Sequence, residues 1–127
     1  MTWDKAKSHC ESIGSGSTLA IVDSDSTRDA IAAVADTGTI WIGLKERADK
    51  KSWETVYGDT NTYNGWEKEQ PEPQKTGADE ESSAVMMWDA GYGRNKWHDF
   101  PPNSSFFSVC QTSELMNFNF HFCNFFI

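Results

Sequence analysis

One short run, Thr39-Ile40-Trp41-Ile42-Gly43-Leu44, constrains this chain more than any other segment. It is apolar without interruption, rich in β-branched and aromatic side chains, and it follows Gly38. A run of that length and composition reads as a central strand buried on both faces. Trp41 and Leu44 supply what a buried strand needs, and Gly43 lets another backbone come close.

The segments before it provide helical cover. Trp3, Ala6, Cys10 and Ile13 recur at helical spacing, with Asp4, Lys5, Lys7 and Glu11 on the other faces, so residues 2–12 are expected to form an amphipathic helix. Gly14-Ser15-Gly16 ends it. Leu19-Ala20-Ile21-Val22 reads as a short strand. Ser24 to Ser26 offer several N-caps, Ser26 with Asp29 fits a capping box, and Ala30, Ile31, Val34 and Ala35 give the second helix an apolar face.

After residue 44 regular structure thins. Residues 59–81 are rich in Asn, Gly, Pro, Asp, Glu and Thr, and a loop that long is usually functional or disordered. Ala84-Val85-Met86-Met87-Trp88 is a strand candidate, Asp89 to Asn95 a polar turn, and Trp97 the start of a further strand. Phe106-Phe107-Ser108-Val109-Cys110 closes the domain, taken as residues 1–113. Residues 114–127 change character, with Phe, Asn and His mixed together, and are expected to stand outside the domain.

The 127 residues suffice for one domain with a real core, and six Trp, eight Phe and three Tyr can fill it. A net charge of −8 argues against nucleic acid and anionic membranes as partners. The three cysteines show no zinc spacing, and His9 beside Cys10 reads as a helix-surface neighbour. No apolar run approaches the roughly 20 residues of a membrane helix. Met1-Thr2-Trp3-Asp4-Lys5 lacks the basic start and apolar middle of a signal peptide. There is no Ser/His/Asp order, Gly-rich phosphate loop or metal-protease helix motif, so the chain is not expected to be an enzyme.

Five segments in order carry a resemblance. Thr2 to Cys10, Leu19 to Ser24, Trp41-Ile42-Gly43-Leu44, Trp53-Glu54 with Tyr63-Asn64-Gly65-Trp66, and Phe107-Ser108-Val109-Cys110 together resemble the C-type lectin-like domain over roughly residues 2–112. The resemblance implies an α+β fold in which two helices flank small antiparallel sheets and a long loop binds ligand. It implies a disulfide between Cys10 and Cys110, which in the loop-entropy picture is worth on the order of 4–5 kcal/mol. The family's inner cysteine pair falls on Ser83 and Pro102 here, so both partners are absent together. A preceding first strand is missing as well, which would leave the strand holding Cys110 with an open edge.

The resemblance also implies a Ca2+ site that holds sugar. Carried over residue by residue, the first loop motif is Gln70-Pro71-Glu72, the later acid is Glu81, and the closing pair after Trp97 is His98-Asp99. Gln70, Glu72, Glu81 and Asp99 are oxygen donors suited to a hard cation, whereas His98 puts imidazole nitrogen where the family has an amide oxygen. With sugar bound, Gln70, Glu72, Glu81, His98 and Asp99 would face its hydroxyls. Asp79 and Glu80 compete with Glu81 for the role of the later acid, and Glu72-Pro73-Gln74 is a second register for the motif. The Gln-first register leans towards galactose-like sugars and the Glu-first register towards mannose-like ones, because donors and acceptors exchange places. The expected activity is secreted, calcium-dependent binding of a carbohydrate or glycoprotein. The alternative is a calcium-independent protein-interaction module of the same fold. Asn103-Ser104-Ser105 is a glycosylation sequon if the chain is secreted.

Overall fold

The computed structural model describes residues 1–35, 38–48, 52–68, 70, 83–87, 95–114 and 117–123, with 83–87, 113–114 and 117–123 described through their backbone. Helix α1 spans Trp3–Ser12, and Thr2 caps it by accepting from Lys5 N at 3.4 Å. Strand β1 is Thr18–Leu19 and helix α2 is Asp25–Ala35. Five further strands follow as β2 (Ile40–Glu46), β3 (Trp53–Thr55), β4 (Ser83–Met87), β5 (Lys96–Phe100) and β6 (Phe107–Glu114), and β7 is Asn117–Cys123.

The strands form one mixed sheet in the order β1-β6-β2-β4-β5, with β3 on β2 and β7 on β6. The expected small antiparallel sheets are thus joined, because β2 and β6 pair in parallel through Ile40 with Phe107 and Trp41 with Ser108. β2 is the hub, and all its residues are buried except Lys45. Its register against β4 shifts between Trp41 and Lys45: Trp41 faces Val85 and Lys45 faces Ser83, four residues' advance on one strand against two on the other. Within that shift the backbone of Gly43 bonds elsewhere, its N–H to Ala20 O at 2.8 Å and its C=O to Val56 N at 3.1 Å. A Cβ on Gly43 would stand 2.8 Å from Leu19 O, so the close backbone approach expected from sequence is made by the Leu19-Ala20 segment.

Two apolar clusters lie on this sheet. One gathers Trp3, Ala6, Cys10, Leu19, Trp41 and Cys110. The Cys10–Cys110 disulfide closes it. The other gathers residues of α2 and β2 with Val109 and Trp97, flanked by Trp53, Tyr63 and Trp66.

Three local expectations change. The cap of α2 is Ser24, whose hydroxyl accepts from Thr27 N at 3.1 Å, rather than Ser26 with Asp29. The strand expected over residues 19–22 is confined to Thr18–Leu19; Ala20 N still reaches Val109 O on β6 at 2.8 Å, and Ile21 N turns to the Gln111 side chain at 2.9 Å. Residues 117–123, expected from composition to stand apart, run antiparallel to β6 from Ser108 opposite Cys123 to Glu114 opposite Asn117. They pair along β6, the strand that holds Cys110. Ser83 lies opposite Phe100 on β5, two residues before Pro102.

Candidate functional site

Trp97 anchors the base of the long loop. It is 1% exposed on β5. Its backbone N–H donates to Gly65 O at 2.8 Å and its C=O accepts from Glu67 N at 3.1 Å. The indole packs edge-on against Trp66, with ring centroids 5.5 Å apart, and is tilted against Tyr63 at 5.7 Å. Trp66 in turn meets Trp53 edge-on at 4.9 Å. Gly65 allows this packing: a Cβ there would lie 2.6 Å from Trp97 Cζ2. In the sequence Asn64-Gly65 stands out only through the resemblance, which gives no sign of this steric role.

Of the site residues expected from sequence, Gln70, His98 and Asp99 fall on described residues. Glu72 and Glu81 lie outside them, as do Asp79, Glu80 and the alternative Glu72-Pro73-Gln74 register. Gln70 is half-buried, and its N–H donates to Glu67 O at 2.9 Å. Two backbone hydrogen bonds therefore link Gln70 through Glu67 to Trp97, two residues before Asp99. Asp99 is 4% exposed, opposite Ala84 on β4. Burial alternates along β5, with Trp97 and Asp99 buried and Lys96, His98 and Phe100 intermediate. Side chains of a strand alternate between faces, so Asp99 shares the face of Trp97 and His98 turns to the other. The backbone thus ties Gln70 to the strand that carries Asp99, while His98 and Asp99 turn to opposite faces of it.

Two further oxygens stand here that sequence reasoning missed. Glu67 Oε2 and Asn95 Oδ1 are buried and have no hydrogen-bond partner among the described residues. Both flank Trp97, Glu67 through its backbone bond and Asn95 two residues before it in a left-handed turn with φ +62°. Buried acceptors without donors are costly unless a donor or a cation satisfies them. Their oxygen chemistry, with that of Gln70 and Asp99, fits a hard cation. Among the described residues no three His, Cys, Asp or Glu side chains converge on one point. A cation cage therefore needs carboxylates from beyond them, where the sequence has Glu72 and Glu81.

Comparison with known proteins bears on the same architecture. The family model "Lectin C-type domain" matches residues 1–112. The C-type lectin lectoxin-Enh4 of Pseudoferania polylepis is 31% identical over 115 residues, covering 87% of this chain and 70% of that protein. An alpha-N-acetylgalactosamine-specific lectin of Patiria pectinifera is 26% identical over 120 residues, covering 88% and 68%. Among solved structures, the carbohydrate-recognition domain of the human scavenger receptor C-type lectin superposes with a TM-score of 0.75 at 22% identity, covering 90% of this chain and 84% of that one. Sequence and fold agree over the same stretch, and the chain belongs to the C-type lectin domain family.

Proposed function

We propose that this domain is a secreted carbohydrate-recognition module that holds sugar hydroxyls through calcium at the base of its long loop. The observation that carries the reading is the buried Asp99 carboxylate on β5 with Gln70 tethered beside the same strand. Gln70, Glu72, Glu81 and Asp99 would hold the ion, with Glu67 and Asn95 offering oxygens behind them. When bound, calcium supplies free coordination positions that vicinal hydroxyls can occupy. The protein's part is to fix the donors in advance. The β4–β5 ladder sets the backbone of Asp99, which is buried on the same face as Trp97, and the Gln70 amide can both donate to and accept from a hydroxyl.

The name of the Patiria relative, specific for alpha-N-acetylgalactosamine, supports a galactose-type ligand, in keeping with the Gln-first register. Secretion is supported by the disulfide, which persists in oxidising compartments. No helix among the described residues is long and apolar enough to cross a membrane. A single site of this kind binds weakly, and repeated domains would raise avidity. The placement of His98 on the face opposite Asp99 favours a second reading, a calcium-independent protein-interaction module.

A glycan array run with calcium and with excess chelator tests the proposal. Asp99→Ala is expected to remove the calcium-dependent signal, by about tenfold or more in affinity, while leaving the far-ultraviolet circular dichroism unchanged. Absence of any calcium-dependent signal in the parent protein would overturn the reading in favour of the protein-interaction module.

A further inference from the structure

A second concave surface lies away from the long loop. Between the start of α2 and the turns that follow β3 runs an open groove of about 510 Å3, within the range of small-molecule sites. Its floor includes Gln111, which is 5% exposed. The Gln111 Oε1 accepts from Ile21 N at 2.9 Å, which fixes the orientation of the amide. Its two N–H donors then have no acceptor among the described residues, and Gln111 lines the groove.

The banks supply acceptors and ring faces. Asp59 is exposed, and its carboxylate makes no hydrogen bond or ion pair among the described residues. Asn61 spends its Nδ2 on Tyr63 O at 3.0 Å and keeps its Oδ1 for another donor. Both phenols are pinned at their hydroxyls: Tyr57 donates to Gly16 O at 3.2 Å, and Tyr63 donates to Asp25. Their rings are therefore held in place as walls, and Tyr57 is 55% exposed, a large apolar face open to solvent.

Charge narrows the ligand. Among the described residues, Asp23 and Asp59 line the groove and no Lys or Arg does. Arg28, on the same helix, is turned to Asp29 at 3.0 Å and Asp25 at 3.5 Å. An anion would meet an acidic rim with nothing to pair it. A fixed amide donor, unspent carboxylate and amide acceptors, and a rigid aromatic wall instead match a ring with many hydroxyls on its edge and an apolar face.

We propose that this groove is a second, metal-independent binding site for a neutral saccharide. Asp59 and Asn61 accept from ring hydroxyls, Gln111 donates to one, and the apolar face of the sugar lies against Tyr57. The site shares no residue with the donors assigned to calcium, so the two sites are separable by experiment.

The test uses the whole chain in excess chelator, with methyl α-mannopyranoside, methyl β-galactopyranoside and N,N′-diacetylchitobiose as probes, read by saturation-transfer NMR and calorimetry. Saturable millimolar binding of at least one probe is expected to persist without calcium. Asp59→Ala is expected to weaken it about tenfold. Ala30→Arg, an exposed helical position on the groove, is expected to block it to a similar extent while preserving α2. Asp99→Ala should leave it unchanged. No binding of any probe up to about 10 mM in chelator, binding indifferent to both groove variants, or binding confined to charged sugars such as glucosamine or sialic acid would each overturn the proposal.

Discussion

The two ends of the sheet are stabilised by different means. Around Cys10 and Cys110, everything is fixed more than once: a disulfide spans 100 residues, strand ladders run on both sides of β6, and indole donors reach backbone acceptors. Trp3 Nε1 donates to Ile42 O at 3.0 Å and Trp41 Nε1 to Met1 O at 2.8 Å. Around Trp97 the order rests on ring edges, one glycine and a few backbone bonds, and the Trp97 Nε1 donor has no partner among the described residues. Redundant fixing gives a scaffold that tolerates change elsewhere. An end held by one strand ladder and ring packing, with no covalent link among the described residues, can be retuned residue by residue, which is where binding loops are found.

Removing the disulfide is the largest way to break this contrast. Replacing Cys10 and Cys110 together by Ala is expected to cost about 4–5 kcal/mol in denaturant unfolding, chiefly through the freed unfolded chain. A loss below about 1 kcal/mol would show that the ladders alone define that end. Gly65→Ala attacks the other end and is expected to cost about 1–3 kcal/mol. The upper part of that range applies because the added methyl meets a rigid indole rather than a flexible chain end. Near-ultraviolet circular dichroism should change in step, since three tryptophans pack edge-on there. An unaltered spectrum would mean that the cluster has room that the geometry denies it.

The smallest effect concerns Tyr63. Its hydroxyl donates to Asp25, and this bond, with some burial, raises the phenol above its ordinary value of 10.0. A raised folded value means that the folded state holds the proton more tightly. The contribution is complete below the unfolded value and is lost as pH climbs through the folded one. Phenolate absorbance should therefore include one tyrosine titrating late, and Tyr63→Phe should remove that component alone.

Much of the scaffold was legible because burial imposes a pattern. The Ile40–Leu44 run had to be a covered strand, and α1 announced itself by spacing. The cap of α2 was ambiguous because Ser24 and Ser26 offer the same chemistry, and the choice of Ser24 lies in three-dimensional packing. The strand at Phe118, Phe120 and Phe122, alternating with Asn117, Asn119 and His121, carried a period-two signature that its unusual composition obscured. Asp99 was reached through resemblance, and its burial follows from its place two residues after Trp97. Glu67 and Asn95 were invisible because no periodicity marks an acceptor whose burial is set by tertiary packing.

The altered pairing between Trp41 and Lys45 has a consequence for how such a chain can diverge. Within that stretch Gly43 answers to two different neighbours, Ala20 through its N–H and Val56 through its C=O. Gaining or losing a single residue there would misalign both neighbours and turn Trp41 or Leu44 towards water. Changes in chain length are thus excluded from the middle of the sheet, and any historical drift in size has to accumulate in its connecting segments.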